Sequence, residues 1–267
     1  MHQELVEKYV KLIVRSGANV QAGQGVTIRI SPELADFGRM LVKEAYEAGA
    51  AWVRVDWEDQ AITKLAYEYQ STDELATVKK WEEERLKYSA ETLPARIFIT
   101  SADPDGLKGM DQAKLSEVSR RQYPVLKPYH DAMENKYQWV IAGAPSVAWA
   151  KKIFPDLSEA EAVDNLWAAI FDTSRVSLEE DPLETWQRHN ESFEARMKWL
   201  NSSFSGSCFS ALLCGFAGPS GAGLGCAASA ATSVQPTSVP APSTNTARLI
   251  LRRRAMTSSP ERRVLKR

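Results

Sequence analysis

Over residues 1–201 the apolar positions switch repeatedly between two periods. Leu5, Tyr9, Leu12 and Ile13 recur at helical spacing, which predicts an amphipathic first helix. Gly25 then opens GVTIRIS, where Val26, Ile28 and Ile30 alternate with Thr27 and Arg29 as in a strand. Ser31 and Pro32 supply an N-cap and a first helical residue. Leu34, Phe37, Leu41, Ala45 and Ala48 share the next helical face, and Gly49 suits the exit. AWVRVDW, from Ala51 to Trp57, reads as a second strand.

A long helical region from Asp59 to Thr92 comes next, with a break near Ser71. Its KKWEEER run is a solvated face of i,i+4 charge pairs. RIFIT (Arg96–Thr100) and YQWVIAG (Tyr137–Gly143) are third and fourth strands, apolar on both faces as buried parallel strands are. Between them lie the loop SADPDGLKGMD and a pair of helices. Ser158 and Glu161 form a capping box ahead of Val163, Leu166, Trp167, Ile170 and Phe171. Asp181 and Pro182 open a last helix, with Trp186, Phe193, Met197 and Leu200 on its buried side. Strands separated by helices of this length need crossover connections. The expected fold class is therefore α/β, a parallel-rich sheet flanked by helices on both faces, over residues 1–201.

Composition divides the chain at Asn201. All 8 Trp and all 8 Tyr lie at or before Trp199, whereas all 3 Cys lie after it, at Cys208, Cys214 and Cys226. Residues 1–201 carry 25 Lys+Arg against 33 Asp+Glu; residues 202–267 carry 8 Lys+Arg and the single Glu261. The overall net charge of −1 hides this asymmetry. An acidic body argues against a general nucleic-acid binder, which needs clustered cations to displace phosphate counterions. Glu4, Glu7, Lys8, Lys11 and Arg15 interrupt the amino-terminal stretch, so it has no secretory apolar core. With no cysteine in the body, a disulfide framework is excluded and a cytoplasmic location is expected.

Candidate chemistry in the body is thin. Neither GxGxxG nor a P-loop is present. AGAPS (Ala142–Ser146) follows a strand and precedes a helix, so its amides could face an anion, but an ordinary turn explains it. DPDG (Asp103–Gly106) has two carboxylates beside a glycine without the further oxygen ligands and closing Glu of a calcium loop; a surface turn is expected. His2, His130 and His189 are the only histidines, and no HExxH exists. His189 lies near a buried helical stripe and reads as a packed or partly solvated histidine; HNE (His189–Glu191) lacks the Pro-Cys-x-x-Cys partner of a deaminase site. No catalytic, cofactor-binding or metal residue is assigned.

Longer segments say more. VEKYVKLIVRSGANVQAGQGVTIRI, LVKEAYEAGAAWVRVDW, SADPDGLKGMDQAKL, WAKKIFPDLSEAEAVDNLWAAIF and DPLETWQRHNESFEARMKWLN fall in order across residues 1–201. In these the body resembles the amino-terminal domain of the thermophilic-type metallo-aminopeptidases, the family of aminopeptidase T, aminopeptidase S and PepS, and its PepS-like branch most. The resemblance implies an α/β domain followed by a catalytic domain that holds two divalent metal ions, zinc or cobalt, through Glu, His and Asp side chains. It also implies peptide substrates, metal-assisted hydrolysis and a homodimer, the last doubtful for this chain.

After Asn201 the chain departs from that pattern. In place of a PGTDL-like turn it reads SSFSGSCFSALLCGF, and residues 202–267 contain no His, no Asp and one carboxylate, too few donors for a two-metal site. Ser202 to Ala247 is 46 residues without a charge, rich in Gly, Ser, Ala, Thr and Pro. Pro219 makes it a poor membrane span, the cysteine spacing fits no zinc motif, and disorder is the expected state. RLILRRR and ERRVLKR could form a basic tail for anionic lipid or nucleic acid. The composition also matches a G+C-rich gene read out of frame, or unspliced or mispredicted sequence: beginning the frame at the G of the Met256 codon makes Met256-Thr257 encode Asp, and Ser258, Ser259 and Pro260 then permit Val-Phe-Thr. Two readings result. The chain is either a truncated metal-dependent aminopeptidase, inactive alone because its catalytic domain is replaced, or a non-catalytic α/β interaction domain with a basic tail.

Overall fold

The computed structural model describes residues 2–204, with side chains from 3 to 201. The tail expected at 202–267, with Cys208, Cys214, Cys226 and both basic runs, lies outside the described residues except for the first three backbone positions. The side chain of His2 lies outside them too.

Four parallel strands form the sheet: β1 (Gly25–Ile30), β2 (Trp52–Trp57), β3 (Ala95–Thr100) and β4 (Trp139–Gly143), in the order β2-β1-β3-β4. Ile28 of β1 pairs with Val55 on one side and Ile97 on the other. The α/β class and parallel sheet inferred from the alternating periods are thus present, and helices flank the sheet.

Val26, Ile28, Ile30, Ile97, Ile99, Val140 and Ala142 are buried and point to one face by strand alternation. α1 (His2–Lys11), α2 (Ala35–Glu47) and α8 (Glu159–Ser174) pack over it. Tyr9, Phe37, Trp167 and Phe171 meet there, with the Trp167 and Phe171 rings stacked at 5.2 Å and Tyr9 edge-on to Phe171 at 6.1 Å. The first helix does not end cleanly. Leu12–Gly17 widens into a π-helical turn, closed by Ala18 N–H donating to the Ile13 carbonyl at 2.7 Å, and the extra residue turns Leu12, Ile13 and Val14 inward together.

The second face is more polar. α5 (Lys80–Thr92) lies beside it through the Trp52–Tyr88 ring pair at 6.3 Å and the Arg85–Asp56 pair at 3.6 Å. α6 (Gln112–Met133) brings the Met133 sulfur to 2.9 Å from Arg96 Nη2. Arg29 lies over the Phe98 ring at 5.5 Å, and Ile141 of the edge strand β4 is 48 % exposed. Continuous apolarity in β3 and β4 therefore marked strands correctly, but it did not bury both faces of β4.

Local chemistry sets most boundaries. Gly49 takes φ of 98°, and Ala50 N–H reaches back to the Ala45 carbonyl, the left-handed exit expected of α2. Ser31 is extended but makes no side-chain cap; Pro32–Leu34 is a 3-10 turn, so α2 starts later than the Ser-Pro pair suggests. Asp59 caps α3 (Gln60–Tyr69), and Ser71 accepts from Glu74 N–H to start α4 (Thr72–Ala76), the break expected near Ser71. Ser158 and Glu161 exchange the capping-box bonds at the head of α8.

Two expectations are overturned. The segment between β3 and β4 is one 22-residue helix, α6, not a pair: Pro124 and Pro128 sit inside it with both rings exposed. On that outer side water can reach the carbonyls that lose their helical donors. The stripe of the last helix, α9 (Pro182–Phe204), is not buried either: Phe193, Met197 and Leu200 are exposed by 43, 51 and 44 %. Leu183 ends one compact unit and Glu184 begins a second, so most of α9 does not belong to the α/β unit.

Candidate functional site

A doubly wound sheet has its natural crevice beyond the carboxyl ends of the strands, where the strand order reverses direction. Here β1 leads to β2 on one side and β3 joins β1 on the other, so the reversal falls between β1 and β3. Ser31 follows β1, Ser101 and DPDG follow β3, and AGAPS spans the end of β4 and the next turn. The topology thus brings the two short motifs singled out in the sequence to the same end of neighbouring strands.

Their groups are engaged in structural contacts. Asp103 Oδ1 accepts from Asp105 N–H at 2.9 Å, and the Asp103 carbonyl accepts from Gly106 N–H at 3.0 Å, which is a turn. Gln60, at the first position of α3, clamps the same turn: its Nε2 donates to the Asp103 carbonyl at 3.1 Å and its Oε1 accepts from Asp103 N–H at 3.0 Å. A Cβ on Gly106 would stand 2.3 Å from Gln60 Oε1, so a larger residue there would push the Gln60 side chain off the turn. Asp105 pairs with Lys152 of α7 (Val147–Ile153) at 2.5 Å, joining the loops after β3 and β4. The hydrogen bond and charge of Lys152 hold the Asp105 carboxyl below the usual aspartate range, and Asp105 raises Lys152 in return.

AGAPS is occupied in the same way. Ser146 is buried and accepts from Trp149 N–H at 3.1 Å as the cap of α7, a helix of 7 residues. Just before it the Gly143 carbonyl accepts from the buried Tyr9 hydroxyl at 3.0 Å. Burial pushes the Tyr9 phenol far up, more than the bond to Gly143 brings it down, so Tyr9 stays a neutral donor. No sequence signal pointed to Gln60, Lys152 or this hydroxyl; each is a long-range polar contact on a position whose spacing says only helix.

The histidines do not converge. His130 is exposed near the end of α6, whereas His189 is half-buried, edge-on to Trp186 at 5.4 Å and Phe193 at 4.7 Å along α9, within the packed or partly solvated setting expected of it. Among the described residues no three His, Cys, Asp or Glu side chains are grouped to hold a metal ion. Nor is any helix among them long and apolar enough to cross a membrane. A hollow of about 230 Å³ lies between α2 and the edge strand β2, lined by Gly38, Arg39, Val42, Lys43, Val55 and Trp57, with no acid–base pair.

The fold and these turns define a doubly wound α/β domain whose loops after β3 and β4 are tied down by hydrogen bonds. Comparison with known proteins gives the family. The model of the thermophilic metalloprotease (M29) family matches residues 2–209, and the chain belongs to that family. Aminopeptidase PepS of Streptococcus thermophilus is 37 % identical over 203 residues, covering 75 % of this chain and 49 % of the relative. Aminopeptidase AmpS of Bacillus subtilis (strain 168) is 36 % identical, covering 72 % of this chain and 47 % of its own length. Wild-type AmpT from Thermus thermophilus superposes with a TM-score of 0.67 at 28 % identity, over 76 % of this chain and 50 % of that one. The chain spans about half the length of the curated relatives it matches. The resemblance read from the five ordered segments is the one these comparisons show.

Proposed function

We propose that residues 1–201 are the amino-terminal domain of a cytoplasmic aminopeptidase that removes amino-terminal residues from peptides, and that residues 202–267 stand where its catalytic domain would begin. The single observation that carries this reading is the match to aminopeptidases over 72–75 % of this chain but only 47–49 % of theirs. Peptide substrates and a two-ion zinc or cobalt centre come from that kinship.

The described residues do not fit such a centre. They bring no three donor side chains together, and the DPDG carboxylates are engaged with a backbone amide and with Lys152. No catalytic or metal-binding residue is assigned to this chain, and no hydrolytic step is routed through it. What the domain contributes is a rigid platform, with α3, α7 and the loops after β3 and β4 tied together.

The test is release of the amino-terminal residue from a leucyl chromogenic substrate by the purified 267-residue chain with added zinc or cobalt. No release is expected. Metal-dependent turnover would refute the assignment of catalysis to a domain other than residues 1–201. Sequencing genomic DNA and cDNA across the codons for Leu200–Arg267 tests the remainder: a frame restoring PGTDL and later Glu and His donors supports a corrupted aminopeptidase, and a transcript that ends as written supports the non-catalytic interaction domain.

A further inference from the structure

The more polar face of the sheet holds a row of side chains that packing does not explain. Thr27 of β1 pairs in register with Arg54 of β2 on one side and with Arg96 of β3 on the other. At strand spacings of about 4.8 Å the Arg54 and Arg96 Cα atoms stand about 9.6 Å apart, with Thr27 midway and all three side chains on one face. Arg29, two residues further along β1, shares that face and is exposed. Trp52 walls the amino-terminal end of the row, its ring so close over Gly25 that a Cβ there would meet it at 2.2 Å. Two groups in the row lack the partners that burial calls for. Thr27 is only 9 % exposed, yet its hydroxyl makes no hydrogen bond to a described residue. No buried side-chain oxygen among the described residues is sealed off without a partner, so this hydroxyl opens onto the space above the sheet. Arg96 is half-buried and pairs with no carboxylate among the described residues; its guanidinium meets the Met133 sulfur at 2.9 Å and the Tyr137 ring at 4.8 Å.

We propose that Arg54, Thr27 and Arg96 form a binding site for a small oxyanion of the phosphate class, with Arg29 at its rim. A half-buried guanidinium with no charge opposite is costly, and a bound anion removes that cost. The charges that reach Arg96 are unbalanced. Arg29 and Arg54 add two cations, and the one carboxylate, Asp56, is already held by Arg54 through two hydrogen bonds of 3.0 and 3.1 Å and by Arg85 at 3.6 Å. Burial, the largest cause, holds the Arg96 guanidinium below the usual arginine range; Arg29 and Arg54 push the same way, and Tyr137 and Asp56 oppose them. Arg29 itself pairs with Glu58 at 3.2 Å, which keeps it at the edge. Phosphate fits this row because its tetrahedral oxygens can accept from a guanidinium on each side and from the Thr27 hydroxyl between them. A single carboxylate has two oxygens in one plane, enough for one guanidinium fork but not for two and a hydroxyl below. A long polyanion is disfavoured, since residues 1–201 carry 33 Asp+Glu against 25 Lys+Arg.

This inference does not depend on the peptidase reading, and its test does not measure peptidase activity. Inorganic phosphate titrated calorimetrically into the full 267-residue chain at fixed ionic strength should bind at one site per chain, in the millimolar range or tighter. Arg96→Met should raise the Kd by roughly tenfold or more. Thr27→Val keeps the side-chain shape and removes a hydroxyl that the fold does not use, so it should leave urea unfolding unchanged and still raise the Kd about threefold. Arg39→Met, which removes a cation paired with Asp36 on α2, should leave the Kd as it was. Glycerol phosphate titrated in parallel separates the sources: tighter binding than phosphate assigns the site to a phosphate ester, and equal or weaker binding assigns it to the free ion. Absence of phosphate binding into the tens of millimolar, or a Kd unmoved by Arg96→Met or by Thr27→Val, would each overturn the proposal. So would succinate bound as tightly as phosphate, which would make the row a docking point for carboxylates such as those of an acidic protein segment.

Discussion

Glu44 is a carboxylate 5 % exposed on α2, and its partner is Arg15, whose Nε lies 2.5 Å away. Replacing Arg15 with Leu would leave that charge buried with nothing opposite. Because Arg15 itself is 40 % exposed, water softens the loss, and a destabilisation of roughly 2–4 kcal/mol is expected in denaturant unfolding. Asp105 tests the crevice more gently. Its folded pKa lies below the ordinary value because of Lys152, so the pair favours the fold above the ordinary aspartate range and loses that contribution as the pH falls through the lowered value. In Lys152→Met the Asp105 carboxyl should titrate higher, toward that of a free aspartate, in a carboxyl-carbon NMR titration. Little of this was legible in the sequence, because Arg15 and Glu44, or Gln60 and Asp103, are joined only once the crossovers have folded.

Elements were far more legible than contacts. All four strands fall where period-two or continuous apolar runs placed them, and the Asp59, Ser71 and Ser158 caps act through the hydrogen bonds their residue types imply. The α6 region misled because proline is read as a break, yet two exposed prolines can ride the outer side of a helix whose Val118 and Met133 are held in the core. That compromise has a measurable cost. Pro124→Ala restores an amide for the Arg120 carbonyl, and even after the unfolded chain regains freedom it should stabilise the domain by about 1–2 kcal/mol in urea unfolding. α9 misled for the opposite reason: amphipathic spacing states that a stripe seeks cover, not that cover is supplied.

At the scale of the molecule, the described residues form an α/β unit through Leu183 and a second unit beginning at Glu184. Composition separates the body from the residues beyond Asn201, although the aromatic-rich stretch continues the first pattern to Trp199 and hides the earlier boundary. With no donor cluster among the described residues, the stability of the α/β unit should not depend on metal. Thermal unfolding with and without a strong chelator should coincide, and a chelator-induced drop in Tm would show a structural ion among groups that geometry leaves apart.

An interior strand that precedes both its neighbours in sequence has a consequence during synthesis. β1 is finished at Ile30, but β3, which must flank it, begins only at Ala95. At translation rates of about 5–20 residues per second the ribosome needs roughly three to thirteen seconds to make the intervening chain. For that interval Val26, Ile28 and Ile30, all fully buried in the finished domain, have no completed sheet to enter. For that interval the segment most central to the fold is a sticky site on the nascent chain, a place for a ribosome-associated chaperone to bind.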